Sequence, residues 1–249
     1  MDPMIPVLLY HSISDDGDAY AVGRAEFREH VRAIAASGRV PLDVTTLARG
    51  LRGEQPLPTR AMAVTFDDGF ADTLAAVELL AVAGVPSTVY VTSGYVARPR
   101  MLSRAGVAEL AAAPAVELGA HGVRHVRLDE LAIGAIDEEL TASRACLEDL
   151  VQAPVRSFAY PHGAYDRRVR SRVAAARYAS AAAVKNALSH AGDDPLAVAR
   201  WTVMRDTPAA RVAEILEGRG APLAWRRERL RTRGWRHVRR ARRRLGAVA

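Results

Sequence analysis

The segment most diagnostic of the architecture is Ala61-Met62-Ala63-Val64-Thr65-Phe66-Asp67-Asp68-Gly69. Its apolar part is typical of a buried strand that ends at the two acids. Neighbouring strand residues point to opposite faces, so both carboxylates reach one site only if the strand ends there and turns. Gly69 permits the turn because glycine adopts backbone angles that other residues avoid. Two such close carboxylates repel each other unless a cation or an arginine lies beside them, so the segment predicts a functional site at a strand end.

Short apolar segments alternate with helical patterns along most of the chain. The strands are predicted at Ile5–Tyr10, Ala61–Phe66, Pro86–Val91, Val116–Leu118, Ser157–Ala159, Ala179–Ala183 and Val198–Val203. The helices are predicted at Arg24–Ser37, Asp72–Ala83, Ser103–Ala112, Asp137–Leu150, Asp166–Ala176 and Pro208–Leu216, with Asp72 and Ser103 as N-caps. This alternation favours a parallel sheet or barrel with functional residues on the loops after the strands.

Two histidines, His121 and His125, follow a further predicted strand. Their i, i+4 spacing predicts that they share one face of a helical turn, close enough to bind the same ion. Two imidazoles and one carboxylate leave coordination positions open, which is typical of catalytic metal sites. Such a pair alone also occurs on solvated helix faces and in cores; the acidic pair at a strand end favours the metal site.

A third motif is Arg156-Ser157-Phe158-Ala159-Tyr160-Pro161-His162-Gly163, a short strand that ends in a proline turn. The guanidinium of Arg156 keeps its charge and could hold one carboxylate by a bidentate bond. The alternative is an exposed arginine on an ordinary strand.

In this order the three motifs resemble those of the polysaccharide deacetylase family, also called the NodB-homology or carbohydrate esterase 4 family. Two further segments, 7–13 and 196–203, are similar to segments of its bacterial members, so the resemblance covers roughly residues 5–217. It implies an α/β fold, a distorted (β/α)7 barrel, as a single catalytic domain over residues 1–222.

The resemblance also implies a metal site and its base. Asp68, His121 and His125 would bind one divalent ion, Zn²⁺ first, with Co²⁺, Mn²⁺ or Fe²⁺ as alternatives. Asp67 would be the general base that deprotonates the attacking water, and Arg156 would orient Asp67.

The turn Tyr160-Pro161-His162 would bind substrate, with the backbone N–H of His162 stabilising the oxyanion.

The general acid is where this sequence departs from the family pattern. The usual late histidine is replaced by Ala199, and the acidic motif that supports it is absent. One candidate is His11, at the end of the first predicted strand; the resemblance to the biofilm-polysaccharide branch, whose motif order is permuted, supports it. The other is His162; a purely structural Tyr-His turn, with no acid role, stays open as the alternative.

The implied function is a metal-dependent hydrolase that removes N-acetyl or other N-acyl groups from an amino-sugar substrate, releasing acetate and a free amine. Hydrolysis of a non-sugar amide or an O-acyl ester at the same site is an alternative. A non-catalytic, membrane-associated barrel is a further one, suggested by the missing late histidine.

Composition bounds the location. The chain has 249 residues and one cysteine, Cys146, which excludes an intramolecular disulfide and is predicted to be a core thiol. No signal peptide or membrane-spanning segment is recognisable, so we expect a cytoplasmic protein.

The segment 223–249 is predicted to be an Arg-rich tail, helical or disordered. Residues 226–244 contain eleven arginines and one glutamate. The net charge of this segment, 11 − 1 = +10, exceeds the net charge of +7 of the whole chain. A solvated tail and an anionic membrane surface on the inner face are the competing interpretations, and nucleic acid is disfavoured because no recognition fold accompanies the charge. A membrane role would fit a lipid-linked amino-sugar substrate.

Overall fold

Seven parallel strands close into a barrel in the computed structural model, which describes residues 4–225. The barrel strands are β1 (Val7–Tyr10), β2 (Ala61–Phe66), β3 (Ser87–Val91), β4 (Val116–Ala120), β5 (Ser157–Ala159), β6 (Ser180–Val184) and β7 (Val198–Thr202). Around the barrel the order is β1-β7-β6-β5-β4-β3-β2, and β1 pairs with β2 to close it. The predicted distorted (β/α)7 barrel is confirmed.

Helices surround this barrel. They are α1 (Arg24–Ala36), α2 (Val44–Leu51), α3 (Thr73–Val82), α4 (Arg104–Ala112), α5 (Ile133–Val151), α6 (Arg167–Ala175) and α7 (Ala209–Leu216). Short 3-10 turns occur at Ser93–Tyr95, Leu128–Glu130 and Pro161–Gly163. Two-residue strands form at Met4–Ile5, Ser12–Ile13, Ala21–Val22, Val40–Pro41 and Ser189–His190.

The predicted elements agree with these bounds to within a few residues, with two differences. Helix α2 was not predicted; its sequence contains β-branched residues and a glycine, and it begins because Asp43 accepts a bond from the Thr46 N–H (2.6 Å). Ser103 caps α4 as predicted, and Asp72 occupies the N-cap position of α3, but its side chain makes no capping bond. Its carboxylate instead accepts bonds from the Ser12 hydroxyl (2.6 Å) and the Ile13 N–H (3.0 Å), tying α3 to the loop after β1.

Strand alternation divides the core into two layers. One face of each strand packs against the helices, and the other fills the barrel. Small interior residues, Ala63, Ala159 and Ala182, leave room for the fully buried Tyr90 ring and Arg200 side chain. Helix α2 closes the end at which the strands begin, so the open end is the one at which they terminate.

One sequence expectation is corrected outside the barrel. Cys146 is exposed on α5, so its prediction as a core thiol is wrong: it lies on the face of the helix that points away from the barrel. No helix within residues 4–225 has the length and apolar content needed to cross a bilayer.

The predicted domain boundary at residue 222 falls within ordered packing. The Ala224 N–H donates to the Leu188 carbonyl (2.8 Å), so the chain still contacts the barrel at this point. The remainder of the Arg-rich tail lies outside the described residues.

Candidate active site

Asp67 is held inside the open end of the barrel by an arginine. Both of its oxygens accept bonds from the Arg200 guanidinium, at 2.6 and 2.7 Å, and Arg200 also contacts the Thr65 hydroxyl (3.2 Å). Burial raises the pKa of Asp67, but the charge of Arg200, with smaller effects of His121 and His11, more than offsets this and leaves it at about 2. Asp67 is therefore a carboxylate at neutral pH although it is buried.

Arg156, predicted to orient Asp67, does not do so. It is exposed and precedes the first residue of β5, whereas Asp67 follows the last residue of β2. In a parallel barrel these positions lie at opposite ends, so the Arg156 guanidinium cannot reach the site. The prediction is wrong: the arginine that orients Asp67 is Arg200 on β7.

The turn after β2 brings the second carboxylate to the same site. Thr65 and Asp67 continue the inward alternation of the strand, while Asp68 (φ 75°) and Gly69 (φ 85°) take left-handed backbone conformations. The turn swings the Asp68 carboxylate towards the histidines, so the predicted strand-end turn is present, with the strained conformation beginning at Asp68 itself.

Asp68, His121 and His125 form a three-ligand cluster. Their ligand atoms lie within 4.8 Å of one another, with Asp68 Oδ1 3.6 Å from His121 Nε2 and 3.2 Å from His125 Nε2. Asp68 Oδ1 is buried and has no hydrogen-bond partner among the described residues. Burial raises the pKa of Asp68 to about 6, with the electrostatic effect of His11 acting against the rise. An orphaned carboxylate oxygen facing two imidazoles fits a divalent cation.

The protonation of the two imidazoles also suits a cation. His121 Nδ1 lies 2.8 Å from the Ala159 carbonyl, which fixes the proton on Nδ1 and leaves the Nε2 lone pair facing Asp68. Burial lowers the pKa of His121 to about 3, against the raising effect of Asp67, and burial likewise lowers the pKa of His125. Both rings are neutral at neutral pH, as metal ligands must be.

A loop, rather than the predicted helical turn, brings the two histidines together. His121 directly follows β4, and the chain then turns through Gly122 (φ 74°) and His125 (φ 53°). The buried carboxylate of Glu139 on α5 braces this loop by accepting bonds from the N–H groups of Val123 (2.7 Å) and Arg124 (3.1 Å). The ring centroids of the two histidines lie 4.9 Å apart, so the rings are close together as predicted, although a loop and not a helical turn joins them.

These groups open into one cavity of about 620 Å³. His11, at the end of β1, lines it, and its Nδ1 is buried without a hydrogen-bond partner in the described part of the chain. His162 lines it as well, with its ring 4.3 Å from that of His125. The predicted base, metal ligands and both candidate acids therefore meet at the carboxyl ends of the strands, where barrel enzymes carry their active sites.

A comparison of the sequence with protein families identifies the chain. The model of the polysaccharide deacetylase family matches residues 54–181, just over half of the chain. The chain belongs to the polysaccharide deacetylase family. It is thus a hydrolase of the type that acts on the amide bond of N-acetylated sugars. No curated protein sequence matches it.

Solved structures of deacetylases have the same fold. The Streptococcus pyogenes deacetylase PplD in complex with acetate is 18% identical, with a TM-score of 0.78 over 87% of this chain and 99% of that one. IcaB from Ammonifex degensii is 22% identical, with a TM-score of 0.75 over 87% and 98%. A de-N-acetylase from Aggregatibacter actinomycetemcomitans is 16% identical, with a TM-score of 0.72 over 84% and 98%. At these identities the likeness concerns the fold.

The proline turn of this deacetylase contributes less to the cavity than predicted. The Tyr160 side chain is fully buried, donates to the Leu196 carbonyl (2.7 Å) and stacks on Tyr165, because it lies on the helix-facing side of its strand. Pro161 is buried behind the turn at Gly122. Neither side chain lines the cavity, and of the three predicted residues only His162 does. Oxyanion stabilisation by its backbone N–H stays a prediction.

Sequence reasoning missed Arg200 and Glu139. Arg200 carried a usable signal, since a charged residue at an inward position of an apolar strand must be paired. Glu139 carried none, because an acid on an amphipathic helix is ordinarily solvated. Arg200 and His11 both lie outside residues 54–181, so the family match by itself would not have found either.

Proposed function

We propose that this protein is a metal-dependent deacetylase that hydrolyses the N-acetyl group of an amino sugar within a saccharide, releasing acetate and a free amine. The observation that carries the proposal is the pairing of a buried, ionised Asp67 with a neighbouring Asp-His-His cluster in a single cavity. Family membership supports the reaction class, and the names of the similar structures, among them a de-N-acetylase, support the N-acetyl group.

Asp68, His121 and His125 are the residues that would hold the ion. Bound there, a divalent ion such as Zn²⁺, or alternatively Co²⁺, Mn²⁺ or Fe²⁺, supplies Lewis acidity, polarising the amide carbonyl and lowering the pKa of water. The chain itself provides the neutral imidazoles, the orphaned Asp68 oxygen and the braced loop, which orient the donors.

Proton transfer falls to two residues on different strands. Asp67 stays ionised because Arg200 stabilises its charge, so it accepts the proton of the attacking water. The departing amine must be protonated, and His11 is our assignment for that donor because its ring lines the cavity that Asp67 lines. His162, at the same cavity, is the alternative donor.

Other substrates for this site remain candidate functions. A non-sugar amide or an O-acyl ester would need the same base and cluster, and the cavity residues do not select between them. The non-catalytic barrel has less support, since the base, its arginine and the ligand cluster are all retained. A cytoplasmic location and a lipid-linked substrate likewise stay proposals.

The test begins with the metal. We expect elemental analysis to find about one zinc or similar ion per wild-type chain, and none in Asp68→Ala/His125→Ala, because two of three ligands are lost. Asp149→Ala, an exposed acid on α5, is the matched control and should keep the ion.

Acetate release is then measured from N-acetylglucosamine oligomers, an O-acetyl ester and a simple acetanilide. Release from the oligomers that depends on the ion supports the proposal. Release from the ester or anilide alone would favour the alternative substrates. Absence of metal in all proteins, even after reconstitution, would contradict the metal-dependent mechanism.

A further inference from the structure

Arg127 lies at the catalytic cavity and has no role in the machinery described above. It directly precedes the 3-10 turn Leu128–Glu130, two residues beyond His125. Its half-buried side chain lines the cavity beside His162.

The neighbouring arginines are already paired. Arg200 bonds Asp67, Arg124 bonds the buried Glu139 (2.5 Å), and Arg170 bonds Asp194. The guanidinium of Arg127, in contrast, makes no hydrogen bond or ion pair with any residue from 4 to 225.

The two carboxylates that line the cavity already face other groups. Asp67 has both oxygens on Arg200, and Asp68 faces the two histidines. Among the described residues that line the cavity, no other carboxylate is present to neutralise Arg127. Partial burial of a guanidinium costs hydration, and its five donors in a planar fork match the oxygens of a phosphate or a carboxylate. An arginine placed this way is suited to an anion that arrives with the substrate.

We propose that Arg127 is a specificity-determining residue that selects amino sugars bearing an anionic group, a phosphate or a carboxylate, over neutral ones. The inference rests on the proposed deacetylase function and deepens it, because it names the charge class of the substrate. The anion would lie on the sugar ring or on the unit next to it, on the His125–His162 side of the cavity.

Binding tests this selection independently of turnover. We would use methanesulfonamide analogues, which replace the acetamide by a group that is not hydrolysed, of glucosamine 1-phosphate, of a glucosaminyl-uronate disaccharide and of neutral methyl glucosaminide. Their dissociation constants would be measured by calorimetry on the metal-loaded wild type, Arg127→Gln and Arg127→Lys. Arg28→Gln removes one exposed charge from α1, outside the cavity, and is the matched control.

We expect the wild type to bind at least one anionic analogue about tenfold more tightly than the neutral one, the size of a charge-assisted hydrogen bond. The ratio should fall to about one in Arg127→Gln, recover partly in Arg127→Lys and stay unchanged in Arg28→Gln. A preference caused by an anion on the metal would survive in Arg127→Gln, whose ligand set is intact, and would overturn the proposal. Equal binding of all analogues by the wild type would overturn it as well.

Kinetics separate this inference from the proposed function. On the acetylated anionic sugar, Arg127→Gln should raise KM about tenfold with little change in kcat, and the neutral sugar should be unaffected. If no sugar is hydrolysed but the Arg127-dependent binding preference holds, the deacetylase proposal fails and the anion selection stands. The phosphate and uronate arms identify which anion is recognised.

Discussion

Arg200 and Asp67 form an ion pair in which each residue depends on the other. Both side chains are almost wholly buried, and the guanidinium also lies over the Tyr90 ring, 5.4 Å from its centroid. Two desolvated charges are tolerated here because their geometry is bidentate. The pair therefore links the stability of the barrel interior to the protonation state of Asp67, our proposed general base.

The first prediction concerns this pair. In Arg200→Gln the burial of Asp67 is no longer offset, so its pKa rises from about 2 and the acidic limb of kcat/KM moves to higher pH. Leaving Asp67 unpaired should also cost about 3–5 kcal/mol in the free energy of unfolding. Rate–pH profiles and urea unfolding measure the two effects.

Arg156→Gln is the control, since Arg156 lies at the other end of the barrel. It should leave the rate–pH profile unchanged and should alter the free energy of unfolding by no more than about 0.5 kcal/mol. An equal loss of activity in Arg156→Gln and Arg200→Gln would show that the assignment of Arg200 is wrong.

The second prediction concerns His11 as general acid. His11→Gln should lower kcat about 100-fold or more on an N-acetyl sugar, whose amine leaves only when protonated. The loss should be much smaller for an activated aryl ester, because that leaving group departs as an anion. Metal content should stay at the wild-type value.

The comparison with His162→Gln decides between the two histidines. If His162→Gln lowers kcat on the N-acetyl sugar but not on the activated aryl ester, and His11→Gln does not, the general acid is His162.

At the scale of elements, a buried acid is among the groups that join helix α2 to the barrel. The carboxylate of Glu117, near the start of β4, accepts bonds from the N–H groups of Val44 (3.1 Å) and Thr45 (3.2 Å) and from the Thr88 hydroxyl (2.8 Å). Burial, followed by the charge of Asp43, raises the pKa of Glu117 to about 7. The acid thus couples the closure of the barrel floor to pH.

The third prediction follows from the sign of this shift. A raised folded-state pKa means that the folded protein binds the proton more tightly, so the stabilisation is complete below the unfolded pKa of 4.5 and is lost as pH rises to about 7. Glu117→Gln keeps an acceptor oxygen but cannot ionise. The free energy of unfolding of Glu117→Gln minus that of the wild type should therefore increase as the pH rises from 5 to 8.

Glu148→Gln, on the outer helix α5, serves as the reference for charge removal and should lack this pH-dependent gain. A constant difference between Glu117→Gln and the wild type across that range would refute the coupling.

Element boundaries were more predictable than the loops that join them. β2 and β5 have the predicted bounds, Ala61–Phe66 and Ser157–Ala159, and β2 follows its apolar run because a strand buried on both faces is continuous in sequence. The helical spacing of its two histidines predicts a helical turn at residues 121–125. In the structure Gly122 and His125 take left-handed backbone angles, and the loop is held by its hydrogen bonds to the Glu139 carboxylate. Spacing indicates that two residues can meet; it does not specify the backbone that joins them.

At the scale of the whole molecule, positive charge is concentrated at one end of the chain. Residues 226–249 lie outside the described structure, and the interpretation as an anionic-membrane anchor rests on their eleven arginines alone. The described part ends with Ala224 bonded to the barrel, so a truncation after Trp225 leaves that contact in place.

The fourth prediction tests this anchor. Removal of residues 226–249 should release the protein from phosphatidylserine-containing vesicles at low salt, because each arginine near such a surface contributes about 1 kcal/mol. Sedimentation with the vesicles measures binding, and neutral phosphatidylcholine vesicles are the control. Unchanged sedimentation of the truncated protein would exclude the tail as the anchor.

The sequence by itself determined the barrel class, the acidic pair at a strand end and the two histidines that join it. These are local patterns: apolar runs, a turn glycine and paired ligands, each legible within about ten residues. Only the tertiary structure decided that Arg200 rather than Arg156 holds Asp67, that Glu139 braces the histidine loop and that Arg127 lines the cavity without a partner among residues 4–225. Those contacts join residues that are far apart in the chain. Whether two such side chains meet depends on the end of the barrel at which each lies and on the face of the strand from which it points. Both are fixed only when the sheet closes into a barrel.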